Sequence, residues 1–285
     1  MPELPEVETI RHDLRARILN KQIKKVVVRK SNMVAPSAAI FKRALLNKKI
    51  GDIDRIGKLM IFKLDDGNYI LWHLKMTGQL IYQGKKGIVA GGHSVPTQSQ
   101  SLPNQFSHVY IIFADNSVLY FNDMRQFGYA KLANQESVAQ AKKKFGPEPL
   151  QSDFTWEYFK QALGKRKTSI KAVLLNQQLI AGIGNIYADE ICFQAKVRPG
   201  NKVYRLSLAQ KMALFQACNT IISKGIKYRG TTLADFVDAD GKSGLMARHL
   251  KVFARQGKKC YRCGEVIKKI RVAGRGTHFC PNCQL

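Results

Sequence analysis

Four of the six cysteines are spaced as Cys260-x-x-Cys263 and Cys280-x-x-Cys283. Two such pairs can complete a tetrahedral thiolate shell around zinc. With all four positions taken by protein, the metal would be structural rather than catalytic. Between the pairs, "KKIRVAGRGTHF" (268–279) reads as strand, Gly-Arg-Gly turn and strand, with Arg275 at the tip. An arginine held there either probes a phosphate or a groove, or is a solvated turn residue. Cys192 and Cys218 fall within helical patterns and read as core thiols.

The opposite end of the chain, "MPELPEVETI", concentrates prolines and acids. If Met1 is removed, Pro2 presents a secondary amine, and an α-amino group titrates near 7.7–8, far below the roughly 10.4 of lysine. Part of it is then neutral and nucleophilic near neutrality. Attack on a sugar aldehyde carbon would give an iminium, an electron sink that promotes loss of a neighbouring phosphate, with Glu3 and Glu6 placed for proton transfer. A competing reading is helix-start punctuation: proline in the first turn and acids complementing the dipole. A third stretch, "NQQLIAGIGNIYADE" (176–190), reads as a helix ending near Gln178, a Gly-x-Gly turn, and a helix that Asn185 can cap. It suits phosphate binding at a helix N-terminus and equally a plain turn between packed helices. Lys58, in "RIGKLM", reads by itself as an exposed strand-end lysine.

The elements that must position these groups differ along the chain. Val7, Ile10, Leu14 and Ile18 recur at helical spacing from Pro5 to about Leu19, and Leu4, before a proline, is biased towards extended backbone. Short β-branched or aromatic runs follow at 24–30, 59–64, 69–74, 108–115 and 117–123. "DDGN" (65–68) and "DNS" (115–117) read as hairpin turns, and the pattern predicts a sandwich or barrel. Residues 83–107, rich in Gly, Ser, Gln and Pro, read as a long mobile loop. "GPEPLQSDF" (146–154) reads as an interdomain linker. Beyond it, "TWEYFKQAL", "SIKAVLLNQQ", "NIYADEICFQAK" and "LAQKMALFQACNTIISKGI" are helical patterns.

Composition sets the partner class. The 285 residues carry Lys+Arg 47 against Asp+Glu 20, a formal net charge of +27. An excess of that size points to a polyanion, whose condensed counterions are released on binding. No apolar run approaches the length of a spanning helix and no secretory leader pattern opens the chain, so a cytosolic protein is expected. In a reducing compartment the clustered cysteines favour metal over disulfides.

Together, "PELPEVET" (2–9), "NDMRQFG" (122–128), "GPEPL" (146–150), "AGIGNIYADE" (181–190) and the four-cysteine finger with "AGRGTHFC" resemble the bacterial formamidopyrimidine-DNA glycosylase family. The resemblance runs from residue 2 to the C-terminus. It implies an α+β chain: an N-terminal β-sandwich with a leading helix, a helix–two-turns–helix domain, and a C-terminal four-cysteine zinc-finger hairpin. The implied bounds are 1–133 for the catalytic sandwich, 134–151 for the linker, 152–249 for the DNA-binding helices with a lesion-capping loop, and 250–285 for the finger.

The activity implied is excision of oxidised purines from damaged double-stranded DNA, which lies in the cleft between domains, followed by lyase cleavage of the strand. A single structural Zn2+ and a cytoplasmic, nucleoid-associated monomer with no membrane partner complete the expectation. By carry-over, Pro2 is the nucleophile, Glu3 the acid that opens the sugar ring, Glu6 its support, and Lys58 a phosphate contact beside the lesion. His73, Asn185 and Arg275 match backbone contacts. Met76, Arg125 and Phe127 match the side chains that fill the gap left by a flipped nucleotide. The family's usual "NDPRRFG" is here "NDMRQFG", so Met124 and Gln126 depart from it. The 83–107 stretch is longer than the family leads one to expect, and residues 229–250 cover the variable capping loop.

Three rival readings are weaker. An endonuclease VIII-like enzyme would typically open "PEGPE" and lack the Met/Arg/Phe set. A non-catalytic zinc-finger DNA binder has no need for Pro2, Glu3 and Lys58 together. A ribosome-associated zinc protein leaves the acidic N-terminus unexplained.

Overall fold

The computed structural model describes residues 1–85, 87–93, 102–231, 236–237 and 244–285. Helix α1 (Leu4–Ile18) comes first, and its predicted stripe of Val7, Ile10, Leu14 and Ile18 is at most 1 % exposed. The helix starts at Leu4, one residue before the expected Pro5. A capping box outweighs the pre-proline bias: Glu3 is the N-cap, and its N–H donates to Glu6 Oε2 at 2.8 Å.

The chain continues through β1 (Ile23–Val28), β2 (Val34–Ala35), α2 (Ala38–Leu45), β3 (Ile50–Ile56), β4 (Leu59–Leu64), β5 (Tyr69–His73) and β6 (Gly78–Gly84). There follow β7 (Gly87–His93), β8 (Ser107–Phe113), β9 (Val118–Asp123), β10 (Tyr129–Ala133) and α3 (Gln135–Lys142). Strands in the order β2-β10-β5-β4-β3 form one sheet. The other has the order β1-β8-β9-β6-β7-β11, where β11 is Phe236–Val237. Only the β10–β2 pairing among these is parallel.

The inward faces of both sheets and the apolar stripe of α1 share one core. Phe62, Trp72, Val109, Phe113 and Phe121 are at most 1 % exposed in it. Trp72 of β5 meets Phe121 of β9 edge to face at 5.1 Å, joining the two sheets. This is the expected sandwich with a leading helix. Both hairpin turns form, with left-handed backbone at Gly67 (φ 84) and Asn116 (φ 62).

The expectation of one long loop at 83–107 is overturned in part. β6 runs to Gly84 and β7 starts at Gly87, whose φ of 116 only glycine tolerates, so this stretch opens as a hairpin. Polar and glycine-rich composition concealed strands whose backbone pairing stabilises them. Lys86 and residues 94–101 lie outside the described residues, as do 232–235 and 238–243 of the stretch expected to hold a capping loop.

The chain divides into two compact units, Met1–Lys143 with Tyr228–Ala247, and Lys144–Lys227 with Arg248–Leu285. Residues 228–247 thus belong with the sandwich, where the sequence groups them with the helices. Bonds from α1 to Arg229 and Thr231 account for that. The second unit contains α4 (Trp156–Leu163), α5 (Ile170–Leu175), α6 (Asn185–Gln194), α7 (Leu208–Lys227) and the hairpin of β12 (Lys268–Val272) and β13 (Arg275–Phe279).

Thr155 and Ser169 cap α4 and α5 through their side chains. α5 stops at Leu175 rather than near Gln178, because Asn176 Oδ1 accepts the Gln178 N–H in a tight local turn. The cap of α6 is Gly184, and Asn185 is the first helical residue, so the expected Asn185 cap is not formed. Cys192 and Cys218 are core thiols, each 0 % exposed. Among the described residues no helix is long and apolar enough to cross a membrane.

Candidate functional site

Pro2, Glu3 and Glu6 are all buried at the start of α1, Glu3 and Glu6 to 3 % and 2 % exposure. Lys58 sits in the two-residue turn between β3 and β4 after Gly57 (φ 55). At 5 % exposure it is not the exposed strand-end lysine its sequence context suggested. Its charge is felt at the Met1 amine, which burial chiefly pushes below its usual 8.0; Glu3 and Glu6 oppose that push, while Lys58 adds to it. Glu6 holds two backbone donors at once, the Glu3 N–H on Oε2 at 2.8 Å and the Thr231 N–H on Oε1 at 2.7 Å. Gly230 makes that approach possible. Its φ is 81, and a Cβ there would lie 2.8 Å from Glu6 Cγ. The outcome is an amine, two carboxylates and an ammonium gathered at one helix start.

A second cluster surrounds Asp123, itself 0 % exposed. Its Oδ1 accepts from the Thr77 hydroxyl and the Arg125 N–H, and its Oδ2 accepts the Gly128 N–H at 2.7 Å. One carboxylate thus fixes both ends of the 123–128 turn and ties it to the segment after Met76. Gly128 is required by space, since a Cβ would lie 2.6 Å from the Phe121 ring and 3.0 Å from His73 O.

The turn leaves Phe127 at 54 %, Met124 at 51 % and Met76 at 37 % exposure, far above the core norm for such side chains. Arg125 stacks over the Phe127 ring at 4.7 Å. The substituted Gln126 adopts φ 55. His73 is held nearby by β5: its Nδ1 accepts the Lys75 N–H at 3.0 Å, which leaves the proton on Nε2. Burial foremost, then the Lys75 and Lys58 cations, push its pKa down to about 3, so it is a neutral donor.

In the second unit, Asn185 Nδ2 donates to Gly276 O at 3.1 Å, linking the start of α6 to the β12–β13 hairpin. A buried network reinforces the link. Lys171 Nζ reaches Asp189 Oδ1 at 2.6 Å, Thr277 Oγ1 at 2.8 Å and Gly276 O at 3.3 Å, while Asp189 Oδ2 accepts the His278 N–H at 2.8 Å. The hairpin tip is Ala273–Gly274, both left-handed (φ 49 and 73), a two-residue primed turn. Arg275 is exposed and directly follows that tip, one residue past its expected place.

Cys260, Cys263, Cys280 and Cys283 are free thiols whose Sγ atoms all lie within 4.8 Å of one another. The Cys260–Cys283 and Cys263–Cys280 pairs are 3.9 and 3.5 Å apart. A tetrahedral zinc with bonds of about 2.3 Å spaces its sulfurs by about 3.8 Å, so the set fits that ion. The Arg262 and Cys283 N–H groups donate to the Cys260 and Cys280 sulfurs at 3.4 Å, an arrangement that orients both sulfurs.

Sequence reasoning missed Asp123, Thr231, Gly230, Lys171 and Asp189. Gly128 and Gly230, each beside a candidate residue or its anchor, were the available signals. The carboxylates gave none, because Thr77 for Asp123 and Lys171 and His278 for Asp189 are remote in sequence.

Comparisons with known proteins agree along the whole chain. Residues 1–130 match a family model described as the formamidopyrimidine-DNA glycosylase N-terminal domain, and residues 145–237 match its H2TH domain. Residues 257–285 match a zinc finger found in FPG and IleRS. The curated formamidopyrimidine-DNA glycosylase of Carboxydothermus hydrogenoformans is 40% identical over 285 residues, and that of Heliobacterium modesticaldum 38% over 287, each covering 100% of both chains. The Lactococcus lactis Fpg, solved in complex with DNA containing an abasic site, superposes with a TM-score of 0.88 at 36% identity over 99% of each chain. A variant of that protein, solved with DNA containing Fapy-dG, gives 0.89. With its sandwich, helices, finger and N-terminal cluster all accounted for, the chain belongs to the formamidopyrimidine-DNA glycosylase family.

Proposed function

We propose that this chain is a bifunctional glycosylase and lyase of base excision repair that removes oxidised purines, 8-oxoguanine and formamidopyrimidines, from duplex DNA. Removal of Met1 frees the Pro2 nitrogen. Its lone pair attacks the deoxyribose C1′ as the bond to the damaged base breaks, and the base departs with a proton. Glu3 protonates the ring oxygen and opens the sugar to an iminium on Pro2. Proton loss from C2′ then expels the 3′-phosphate, a second elimination expels the 5′-phosphate, and water releases the remaining sugar fragment. Glu6 holds the helix start in place, and Lys58 neutralises phosphate beside the lesion.

The observation that carries this reading is the burial of Pro2, Glu3, Glu6 and Lys58 around one helix start. A DNA-binding module needs no such cluster. His73 and Lys58 are read as contacts to lesion-strand phosphates, with Asn185 and Arg275 as further backbone contacts. Met76, Phe127 and Arg125 are read as the side chains that enter the emptied stack, apolar groups wedging it and the arginine facing the orphaned base. The four thiolates would hold zinc and so keep the Arg275 hairpin folded. The protein is read as a monomer of the bacterial cytoplasm.

The test is Pro2→Gly. Lesion-strand nicking by the purified variant should fall sharply while affinity for a duplex with an uncleavable abasic analogue stays near wild type. Unchanged nicking would remove Pro2 from its role.

A further inference from the structure

Helix α1 grips the 229–231 backbone at two points. Glu6 takes the Thr231 N–H at 2.7 Å, and Asp13, with a side chain 5 % exposed, takes Arg229 Nη2 at 2.6 Å. Glu6 and Asp13 are seven positions apart, two turns along one face of the helix, about 10 Å by its rise. The gripped backbone is itself strained. Arg229 has φ 57, a left-handed conformation disfavoured for a residue other than glycine.

Gly230 follows at φ 81 against Glu6. On its far side Gly244 packs so closely that a Cβ there would lie 2.3 Å from Gly230 O, while Met246 N–H donates to that carbonyl at 3.1 Å. The Thr231–Leu245 bridge completes a short stem. The Thr231 N–H meets Glu6 with 229–231 in this conformation, and the ion pair is a charged contact that ties Arg229 to α1.

We propose that Asp13 and Arg229 are positioning residues for the chemistry at the N-terminus. They fix the 229–231 stem, the stem orients Glu6, and Glu6 in turn holds the Glu3 N–H and the helix start that carries Pro2. This rests on the proposed glycosylase and lyase reading of that site. Neither residue touches DNA in this role, and both act through Glu6.

The double variant Asp13→Asn/Arg229→Gly tests it. Net charge is unchanged, no buried carboxylate is left unpaired, and glycine relieves the φ 57 strain, so melting should stay near wild type. Single-turnover cleavage of 8-oxoguanine duplex at saturating enzyme should fall about ten- to a hundredfold, as small misplacements of reacting groups do. The Kd for a duplex with a tetrahydrofuran abasic analogue should not move. Arg229→Lys alone, which keeps a cation opposite Asp13, should retain most of the wild-type rate.

A double variant that cleaves at the wild-type rate would overturn the inference. So would one that loses only affinity, because Arg229 would then be a DNA contact. Failure of the wild type itself to cleave would instead sink the underlying reading of the site.

Discussion

Lys171→Met gives the sharpest energetic prediction. The wild-type ammonium is fully buried with Asp189, both side chains 0 % exposed, and it also bonds Thr277 Oγ1 and Gly276 O. Removing it strands a carboxylate in the interior, and breaking a buried pair from one side typically costs about 3–5 kcal/mol. The gross attraction of the pair is much larger than that, but desolvation of both ions offsets most of it.

At about 4 °C per kcal/mol, between the values for smaller and larger domains, melting of the second unit should drop by roughly 15 °C. Adding Asp189→Asn removes the stranded charge yet keeps an acceptor for the His278 N–H, so about half of the loss should return. Urea titration followed by Trp156 fluorescence in a Trp72→Phe background reads this unit, since the chain has 2 tryptophans and Trp72 lies in the sandwich core. DNA affinity should fall with stability, because the network carries Gly276 and Thr277 directly beside Arg275. If Lys171→Met unfolds within 1 kcal/mol of wild type (~1 kcal/mol being the worth of an ordinary hydrogen bond), or the double variant is no more stable than the single, the buried-charge argument is wrong.

Two further predictions follow from the remaining sites. The fold keeps His73 neutral down to about pH 3, against 6.5 when unfolded, so its contribution is fully present above pH 6.5 and is lost as pH falls. Between pH 6.5 and 5 the wild type should lose up to about 2 kcal/mol that His73→Gln does not, at 1.36 kcal/mol per unit of pKa shift; parallel urea-melt profiles at the two pH values would refute it. Stripping zinc with a chelator should weaken DNA binding before it slows cleavage at saturating enzyme, as measured by anisotropy and gel assay; undiminished affinity of metal-free protein would count against the finger's role.

What was legible in the sequence was local. The α1 stripe, the two tight hairpin turns and the cysteine spacing each carry their signal within a few residues, and each appears where it was expected. Lys58 was illegible as a buried residue, because only the pairing of β3 with β4 turns it inward beside the amine. The β6–β7 hairpin was hidden by glycines and polar residues, since backbone pairing rather than side-chain pattern forms it. Asp123, Glu6 and Asp13 illustrate a third kind of gap. Beside any local bonds, each also holds a partner 46, 225 or 216 positions away, which no window of sequence can show. Family resemblance supplied Met76 and Phe127; their exposure at a pinned turn is what makes them credible as wedges.

The central claim is tested most directly by borohydride trapping on a duplex with one 8-oxoguanine opposite cytosine, with the adduct mapped by mass spectrometry. The account predicts a covalent complex on the N-terminal peptide, Met1 absent and the sugar on Pro2. An adduct only on a duplex with a pre-formed abasic site would keep the lyase and discard the oxidised purine as substrate. An adduct on a lysine, or none on either duplex, would contradict the account.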